Sequence, residues 1–234
     1  MSILAFDTCF GAVSVAVGRQ TAGGEWVTHE AYEEMAVGQA ERLMPMMDEV
    51  MRAAGIDFAQ VTRIAVTRGP GSFTGVRVGV AAARALALAT GAPLVATTSL
   101  AVVAATADSQ LAGRADRDLV VAMDARRGGL YMQVFGASAR DEVTAAELAT
   151  PEAGAMRLAG RRVIAVGSGA EALARAAALA GNGQVEVQLP DLQPRAASLL
   201  MLATELPPVD VVAPLYLRQP DATPQMHAGP LRTD

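Results

Sequence analysis

A glycine-rich stretch at residues 67–79, TRGPGSFTGVRVG, constrains the fold of this chain more than any other segment. The apolar run RIAVT leads into it and an alanine-rich segment follows, so the stretch predicts a strand, a loop and then a helix. This helix is expected over residues 74–89 and ends before Gly91. Ser72 or Thr74 is suited to cap its first turn.

The spacing of the glycines excludes the two common phosphate loops. A Walker A loop requires a lysine after its second glycine, and no lysine follows in either register. A dinucleotide fingerprint requires GxGxxG, whereas Gly69, Gly71 and Gly75 are spaced GxGxxxG. Two interpretations stay open: Gly69, Gly71 and Ser72 hold an anion or a nucleotide phosphate at a helix N-terminus, or the glycines permit a tight turn and close helix packing.

The remaining pattern predicts two α/β lobes, each with paired strands followed by a strand, a loop and a helix. In the first half, SILAFDT, GAVSVAVG, EWVTHEAYE and PLVATTS have the character of strands. In the second half, DLVVAMDARRGGLYMQVFG predicts two strands around a turn, and RRVIAVGSGAEALARAAALAG a strand, a glycine loop and a helix. QVEVQL predicts a short strand and PRAASLLMLATEL a final helix. Between the two halves, a short helix is expected around residues 100–107.

We therefore expect an α/β fold with mixed sheets flanked by helices. The first lobe is expected over residues 1–100 and a more divergent second lobe over residues 101–218. The C-terminal segment of the second lobe is expected to return to the first. A mobile tail without periodicity is expected at residues 219–234.

Apolar residues recur at helical spacing over residues 39–54, where Gly55 is expected to end a helix that contains Pro45. This wide, Met-rich stripe indicates either an ordinary core face or a face that docks on a partner. Glycine and alanine four residues apart give the helix at 74–89 a second face that allows close approach. The candidate partner-interface residues are Leu43, Met44, Met47, Val50, Met51, Gly75, Gly79 and Ala83.

Asp7 ends the first predicted strand, and Asp124 has a similar position in the second half. A carboxylate at a strand end is suited to hold a hydrated Mg²⁺ beside a phosphate, although such an aspartate more often belongs to a turn. The two histidines, His29 and His227, form no HxxxH pair, and the single Cys9 forms no CxxC pair. No Ser/His/Asp set is evident, so we predict neither a metal site nor a catalytic residue.

The charge pattern and the N-terminus also bear on function. The net charge is −5 without a block of basic residues, so unaided nucleic-acid binding is not predicted. A single cysteine fits a reducing compartment. The chain shows no signal-peptide pattern and no apolar run of the ~18 residues that span a membrane. We expect a cytoplasmic protein that does not associate with membranes.

Several stretches, ILAFDT, ERLMPMMDEVMRAAG, TRGPGSFTGVRVGVAAARALA and DARRGGLY, resemble the bacterial TsaB family of tRNA threonylcarbamoyladenosine biosynthesis proteins. The resemblance covers about residues 2–135 and resumes at APLYLR, residues 213–218. It implies the two-lobed actin/Hsp70/sugar-kinase-like (ASKHA) fold. It also implies a non-catalytic subunit that supports TsaD, joined by TsaE, in forming N6-threonylcarbamoyladenosine (t6A) at position 37 of ANN-decoding tRNAs.

The resemblance further implies which subunit supplies the docking surface, the nucleotide, the tRNA contact and the metal. The helices at 39–54 and 74–89 would dock on TsaD, or on a second copy of this chain when TsaD is absent. This chain would require no cofactor, whereas ATP or ADP would act in the complex, and tRNA would be contacted only through the complex. Catalytic relatives carry a metal-binding HxxxH pair at positions that align with Ser99 and Val103, so the metal is expected on TsaD only.

Two further positions depart from the usual family pattern. Gln39 stands where many members have histidine, and Arg127-Gly128-Gly129 replaces the more usual MGE after DAR. A small-molecule kinase or ATPase of the same fold is the alternative function, using Asp7 and residues 69–72. VGSGAE at 166–171 would then supply a loop beside the adenine. A protease is disfavoured because the sequence offers no nucleophile set and no metal ligands.

Overall fold

Two five-stranded mixed sheets organise residues 1–114 and 116–218, the part of the chain that the computed structural model describes. The first sheet consists of β1 (Ser2–Asp7), β2 (Ala12–Gln20), β3 (Trp26–Glu34), β4 (Arg63–Thr67) and β5 (Leu94–Thr97), in the order β3-β2-β1-β4-β5. The second consists of β6 (Asp118–Asp124), β7 (Leu130–Phe135), β8 (Glu147–Ala149), β9 (Val163–Val166) and β10 (Val185–Val187), in the order β10-β9-β6-β7-β8.

The helices are α1 (Gln39–Ala54), α2 (Phe73–Thr90), α3 (Ser99–Gln110), α4 (Pro151–Arg157), α5 (Ala170–Leu179) and α6 (Ala196–Ala203), with a short 3₁₀ turn at Phe58–Gln60. Both lobes share one topology. In each, three antiparallel strands are followed by a helix, a strand parallel to the first, a second helix and another parallel strand. This repeat confirms the predicted α/β fold with two lobes and mixed sheets flanked by helices.

The third helix of each lobe crosses to the other lobe. α3 follows β5 of the first sheet but packs against β6 and β7 of the second. α6 follows the second sheet and packs against β1, β2 and β4 of the first. The two helices also contact each other, so they join the lobes. The chain thus passes between lobes at α3, near residue 100, and returns before α6.

Helix α1 has glycine at both ends. Gly38 at its N-terminus and Gly55 at its C-terminus have left-handed φ angles of 94° and 63°, which glycine adopts without a steric cost. Pro45 lies within the helix. The predicted helix over residues 39–54 is therefore confirmed, including its end at Gly55.

The apolar side of α1 lies in the core of the first lobe, next to β2 and β3. Leu43, Met47, Val50 and Met51 are buried there. The prediction that these four side chains form an exposed docking face is wrong, because the sheet of the same chain covers them. Met44, by contrast, is 48% exposed.

The small-residue face of α2 also packs within the chain. A Cβ added to Gly75 would lie 2.0 Å from the carbonyl oxygen of Thr8, and one added to Gly79 would lie 2.8 Å from the Thr8 hydroxyl oxygen. Ala83 is buried on the same face. Gly75 and Gly79 thus let α2 approach the β1–β2 turn closely, and the prediction that these two residues and Ala83 form a partner surface is corrected, because the chain itself covers all three.

Helix α2 is the one helix, within residues 1–114 and 116–218, whose length and apolar composition would also suit a membrane span. Its inner side packs on the first sheet, and Arg77 and Arg84 are exposed on its outer side. A core helix of this kind meets the same criteria of length and composition.

Two elements, β8 and α4, are absent from the predicted set. β8 has three residues and α4 has seven, so neither is long enough to show a clear period. Thr150 and Pro151 do carry a signal for α4, since the Thr150 hydroxyl accepts a hydrogen bond from the N–H of Ala153 and proline occupies the first turn. The predicted tail at 219–234, with His227, lies outside the described residues.

Candidate functional site

A cavity of about 860 Å³ lies between the two lobes. Residues 9–11 and 71–74 line it from the first lobe, and residues 124–127 and Ser168 line it from the second. These segments follow β1, β4, β6 and β9, so the cavity lies at the carboxyl ends of parallel strands, where open α/β sheets bind ligands. Residues 215–218, from the end of the described chain, complete the lining. We call this cavity the cleft.

The glycine-rich loop packs tightly on its own chain. A Cβ on Gly71 would lie 2.3 Å from the Cys9 carbonyl oxygen, and one on Gly69 would lie 2.6 Å from the Leu215 carbonyl oxygen. Ser72 donates its N–H to the Cys9 carbonyl at 2.7 Å, and its hydroxyl caps α2 by accepting from the N–H of Gly75 at 3.1 Å. The glycines therefore serve close packing here, although Gly71 and Ser72 also line the cleft.

Asp7 does not line the cleft. Its side chain is buried, with 1% of the residue exposed, and both carboxylate oxygens accept hydrogen bonds. Oδ1 accepts from the N–H of Cys9 at 3.1 Å and Oδ2 from the hydroxyl of Thr67. Burial raises the pKa of Asp7 to about 6, and these hydrogen bonds only partly oppose the rise. The prediction that Asp7 and Gly69 belong to an anion site is thus corrected, because the chain encloses both.

Cys9 lies in the same buried cluster. Its Sγ is 3.3 Å from the hydroxyl oxygen of Thr67, and burial together with the nearby charge of Asp7 raises the pKa of the thiol. The side chain belongs to the apolar core of the first lobe, while the residue borders the floor of the cleft. A thiol held in this way is unreactive unless the loop above it moves.

Asp124 ends β6 and lines the cleft, unlike its counterpart Asp7. Its Oδ1 accepts from the N–H of Arg126 at 2.7 Å, and its own N–H donates to the Ser168 hydroxyl at 3.0 Å. Arg126 and Arg127 have left-handed φ angles of 61° and 52° in the turn that follows. Asp124 therefore orders the β6–β7 turn, as the turn interpretation predicts.

Sequence reasoning missed the arginine and aromatic side chains of the cleft. Arg126, Arg127 and Arg218 line its second-lobe side, next to Tyr131. The rings of Phe10 and Tyr131 lie 6.4 Å apart, and those of Phe73 and Tyr216 5.1 Å apart, as pairs that join different parts of the chain. The partners in each pair are far apart in sequence, so no local pattern identifies them.

No group of three or more His, Cys, Asp or Glu side chains suited to hold a metal ion occurs within residues 1–114 and 116–218. Ser99 and Val103, on α3, are both buried. The Ser99 hydroxyl donates to the carbonyl of Pro70, and Val103 packs in the core of the second lobe. Gln39 is buried at the start of α1, with its amide 3.5 Å from the Met35 carbonyl.

Helices α1 and α2 lie side by side and present a second, outward surface. Met44 on α1 and Ala81, Ala85 and Leu88 on α2 are exposed there, and Leu88 is 90% exposed. We call these four residues the outward helix face. Met44 is one of the predicted interface residues and borders the buried side of α1, whereas Ala81, Ala85 and Leu88 lie on the side of α2 opposite Gly75, Gly79 and Ala83. The structure thus separates a core side from an exposed side, on which these apolar residues lie near Arg77 and Arg84.

Comparison with known proteins identifies relatives of the chain. The family model described as "TsaD: tRNA N6-adenosine threonylcarbamoyltransferase" matches residues 33–224. The tRNA threonylcarbamoyladenosine biosynthesis protein TsaB of Haemophilus influenzae is 30% identical over 184 residues, covering 72% of each chain. The tRNA N6-adenosine threonylcarbamoyltransferase of Erythrobacter litoralis is 48% identical over 68 residues, covering 29% of this chain and 20% of that protein.

A solved structure agrees with these relatives. YeaZ from Pseudomonas aeruginosa is 27% identical, with a TM-score of 0.72 over 92% of this chain and 99% of that chain. The chain spans a smaller share of several sequence relatives. The chain spans a fifth of the Erythrobacter transferase, and 53% and 55% of the TsaB proteins of Escherichia coli and Bacillus subtilis.

Proposed function

The chain belongs to the TsaB family of tRNA threonylcarbamoyladenosine biosynthesis proteins, and we propose that it is the non-catalytic subunit that supports TsaD in forming t6A at position 37 of ANN-decoding tRNAs. One observation carries the non-catalytic assignment. Ser99 and Val103, where the family resemblance places the metal-binding histidine pair of catalytic relatives, are both buried in packing contacts. The chemistry would therefore take place on TsaD.

The outward helix face supplies the docking surface in this proposal. Its alanines allow another helix to approach closely, and Leu88 offers an apolar side chain to a pocket on the partner. The buried residues beneath it, such as Leu43 and Met47, hold α1 on the sheet and keep the surface rigid. TsaD helices would cover this face, and a second copy of the chain would cover it when TsaD is absent.

The remaining components of the proposal are those that the family resemblance implies, and the charge of the chain bears on how it meets tRNA. With a net charge of −5, it would reach tRNA only through the complex, in the cytoplasm. TsaE would join the TsaD-bound form and ATP or ADP would act in that assembly. This subunit would require no cofactor of its own. Its contribution would be to stabilise a competent conformation of TsaD by binding that conformation more tightly than others.

Reconstitution of t6A synthesis tests the proposal. Purified chain, TsaD and TsaE are combined with an ANN-decoding tRNA and a threonylcarbamoyl donor, and t6A is measured by mass spectrometry of digested tRNA. We expect t6A from the full mixture, none from this chain alone, and a large loss when this chain is omitted. Formation of t6A by this chain without TsaD would refute the non-catalytic role.

The alternative of a small-molecule kinase or ATPase is less well supported. It places Asp7 beside a phosphate in the cleft, whereas Asp7 is buried and both its oxygens accept hydrogen bonds from the chain. Hydrolysis of Mg-ATP by the isolated chain, abolished in Asp7→Ala but retained in Asp124→Ala, would favour this alternative over the accessory role.

A further inference from the structure

We propose that residues 215–218 form a strap that closes the cleft and holds the glycine-rich loop down on the β1–β2 turn, so that release of the strap opens the floor of the cleft. The strap crosses from one lobe to the other beside the cavity, and all four of its residues line that cavity. The proposal is independent of the role proposed with TsaD, because the strap does not include the outward helix face.

The first anchor of the strap is a backbone contact with the glycine-rich loop. Leu215 donates its N–H to the carbonyl of Arg68 at 2.6 Å. Its carbonyl oxygen lies so close to Gly69 that a Cβ there would be 2.6 Å away, and Gly69 has a φ of 103°. Only glycine combines this conformation with this approach at low cost. The loop and the strap are thus packed backbone to backbone.

The second anchor is the ring of Tyr216 on the first turn of α2. The ring lies 5.1 Å from that of Phe73, and the Tyr216 hydroxyl oxygen accepts from Nε of Arg77 at 3.0 Å. The Arg77 guanidinium in turn lies 3.6 Å from the centre of the Phe73 ring. These contacts join the strap to the same helix whose N-terminus is capped by Ser72.

The third anchor is on the other lobe. Leu217 packs against the core of the second lobe, and Arg218 donates to the carbonyl of Arg126 at 3.2 Å. Gly129 makes room for this guanidinium, because a Cβ there would lie 2.8 Å from an Arg218 nitrogen. Leu215 and Tyr216 thus hold the strap on the first lobe, and Leu217 and Arg218 hold it on the second. The strap therefore connects the two lobes.

Cys9 reports on the state of this strap. It is the single cysteine of the chain, and it is buried beneath the loop, bonded to Ser72 through its carbonyl and packed under Gly71. A reagent reaches the thiol only when the loop lifts. Since Leu215 holds Gly69, loosening the strap increases the fraction of time that the loop is open.

The experiment measures the rate at which Cys9 of the full chain reacts with a thiol reagent under native conditions. Tyr216→Ala removes the stacked ring and its hydrogen bond, and we expect labelling about tenfold faster than in the wild type. Arg218→Ala removes the second-lobe anchor, and we expect an increase of about threefold or more. Tyr216→Phe keeps the ring and should fall between the wild type and Tyr216→Ala.

Tyr32→Ala is the matched control, because Tyr32 also has a guanidinium over its ring, that of Arg195 at 4.1 Å, but lies on β3 away from the strap. Each rate is compared with the rate that global unfolding alone would allow, obtained from urea denaturation. Wild-type labelling rates in Tyr216→Ala and Arg218→Ala would overturn the proposal, and so would equal acceleration in Tyr32→Ala. If Tyr216→Ala does not fold, the labelling rates of Tyr216→Phe and Arg218→Ala test the proposal.

Hydrogen exchange gives a second readout. In Arg218→Ala, the glycine-rich loop at 69–72 should gain exchange together with the turn at 125–129, because the strap links them. Faster exchange confined to the 125–129 turn would show that Arg218 acts locally, and the proposal would fail.

Discussion

The carboxylate of Glu30 on β3 and the guanidinium of Arg195 lie 2.8 Å apart, directly before the first turn of α6. The same carboxylate accepts from the N–H of Ala197 at 3.0 Å and from the Ser14 hydroxyl at 3.0 Å. A negative charge at a helix N-terminus is favourable, and here it comes from a strand 165 residues earlier in the chain. Glu30 therefore fixes the point at which the chain returns to the first lobe.

Glu30→Ala should lower the free energy of unfolding by about 2 kcal/mol, because it leaves Arg195 and the N–H of Ala197 without their acceptor in a half-buried site. Urea denaturation measures the change. Glu34→Ala is the control, since Glu34 is exposed and its carboxylate accepts from the Tyr32 hydroxyl at 3.1 Å. A loss for Glu30→Ala no larger than for Glu34→Ala contradicts the assigned role.

Asp7 should make the unfolding free energy depend on pH. Its pKa is about 6 in the folded chain and near its ordinary 3.8 when unfolded, so the folded chain binds more protons between these values. The unfolding free energy then falls by about 3 kcal/mol in total as the pH rises from about 3 to about 7, and this loss persists at higher pH.

Asp7→Asn should lack this dependence. Urea denaturation of both proteins at pH 4 and pH 7 isolates the contribution of Asp7, because the other titrating groups cancel in the difference. The unfolding free energy of the wild type, relative to that of the variant, should be about 2 kcal/mol higher at pH 4 than at pH 7. The same difference at both pH values would show that Asp7 titrates normally.

Gly75→Ala should destabilise the first lobe, because the added Cβ would lie 2.0 Å from the backbone carbonyl of Thr8. We expect a loss of about 3 kcal/mol, since α2 must move away from the β1–β2 turn. Thermal denaturation measures it. Gly183→Ala is the matched control, because nothing lies within 4 Å of a Cβ at that position. Equal losses in both variants would contradict the close approach.

The docking proposal predicts that Leu88→Asp weakens binding to TsaD about 100-fold, because it places a charge in an apolar contact. Isothermal titration calorimetry with purified TsaD measures the affinity. Leu179→Asp is a close control: Leu179 is 91% exposed on α5, the helix of the second lobe that corresponds to α2. If both variants bind TsaD like the wild type, docking occurs elsewhere.

Local features of the sequence predicted much of the fold. The hairpin of β1 and β2, the cap of α2 at Ser72 and the end of α1 at Gly55 are all confirmed. Each depends on residues that are close in sequence, such as alternating apolar side chains, a hydroxyl before a helix or a glycine after one. The family resemblance depends on the same stretches and is also confirmed.

Which faces of α1 and α2 are buried was decided by the tertiary structure. Helical spacing places Leu43, Met44 and Met47 near one another, but only the position of the first sheet buries Leu43 and Met47 and leaves Met44 exposed. The periodicity of a helix predicts which residues share one of its sides, but it does not predict what packs against that side. Apart from Met44, the predicted docking residues therefore lie on the core side of α1 and α2.

The cleft shows the same division. The sequence by itself determined that strands end at Asp7 and Asp124 and that a glycine-rich loop precedes α2, because these are properties of neighbouring residues. Only the tertiary structure decided that Thr67 and the loop enclose Asp7, whereas Asp124 stays in the cleft. Whether a carboxylate is buried and hydrogen-bonded depends on residues tens of positions away in the sequence. Its burial and hydrogen bonds in turn determine whether it is enclosed by the chain or available to a ligand.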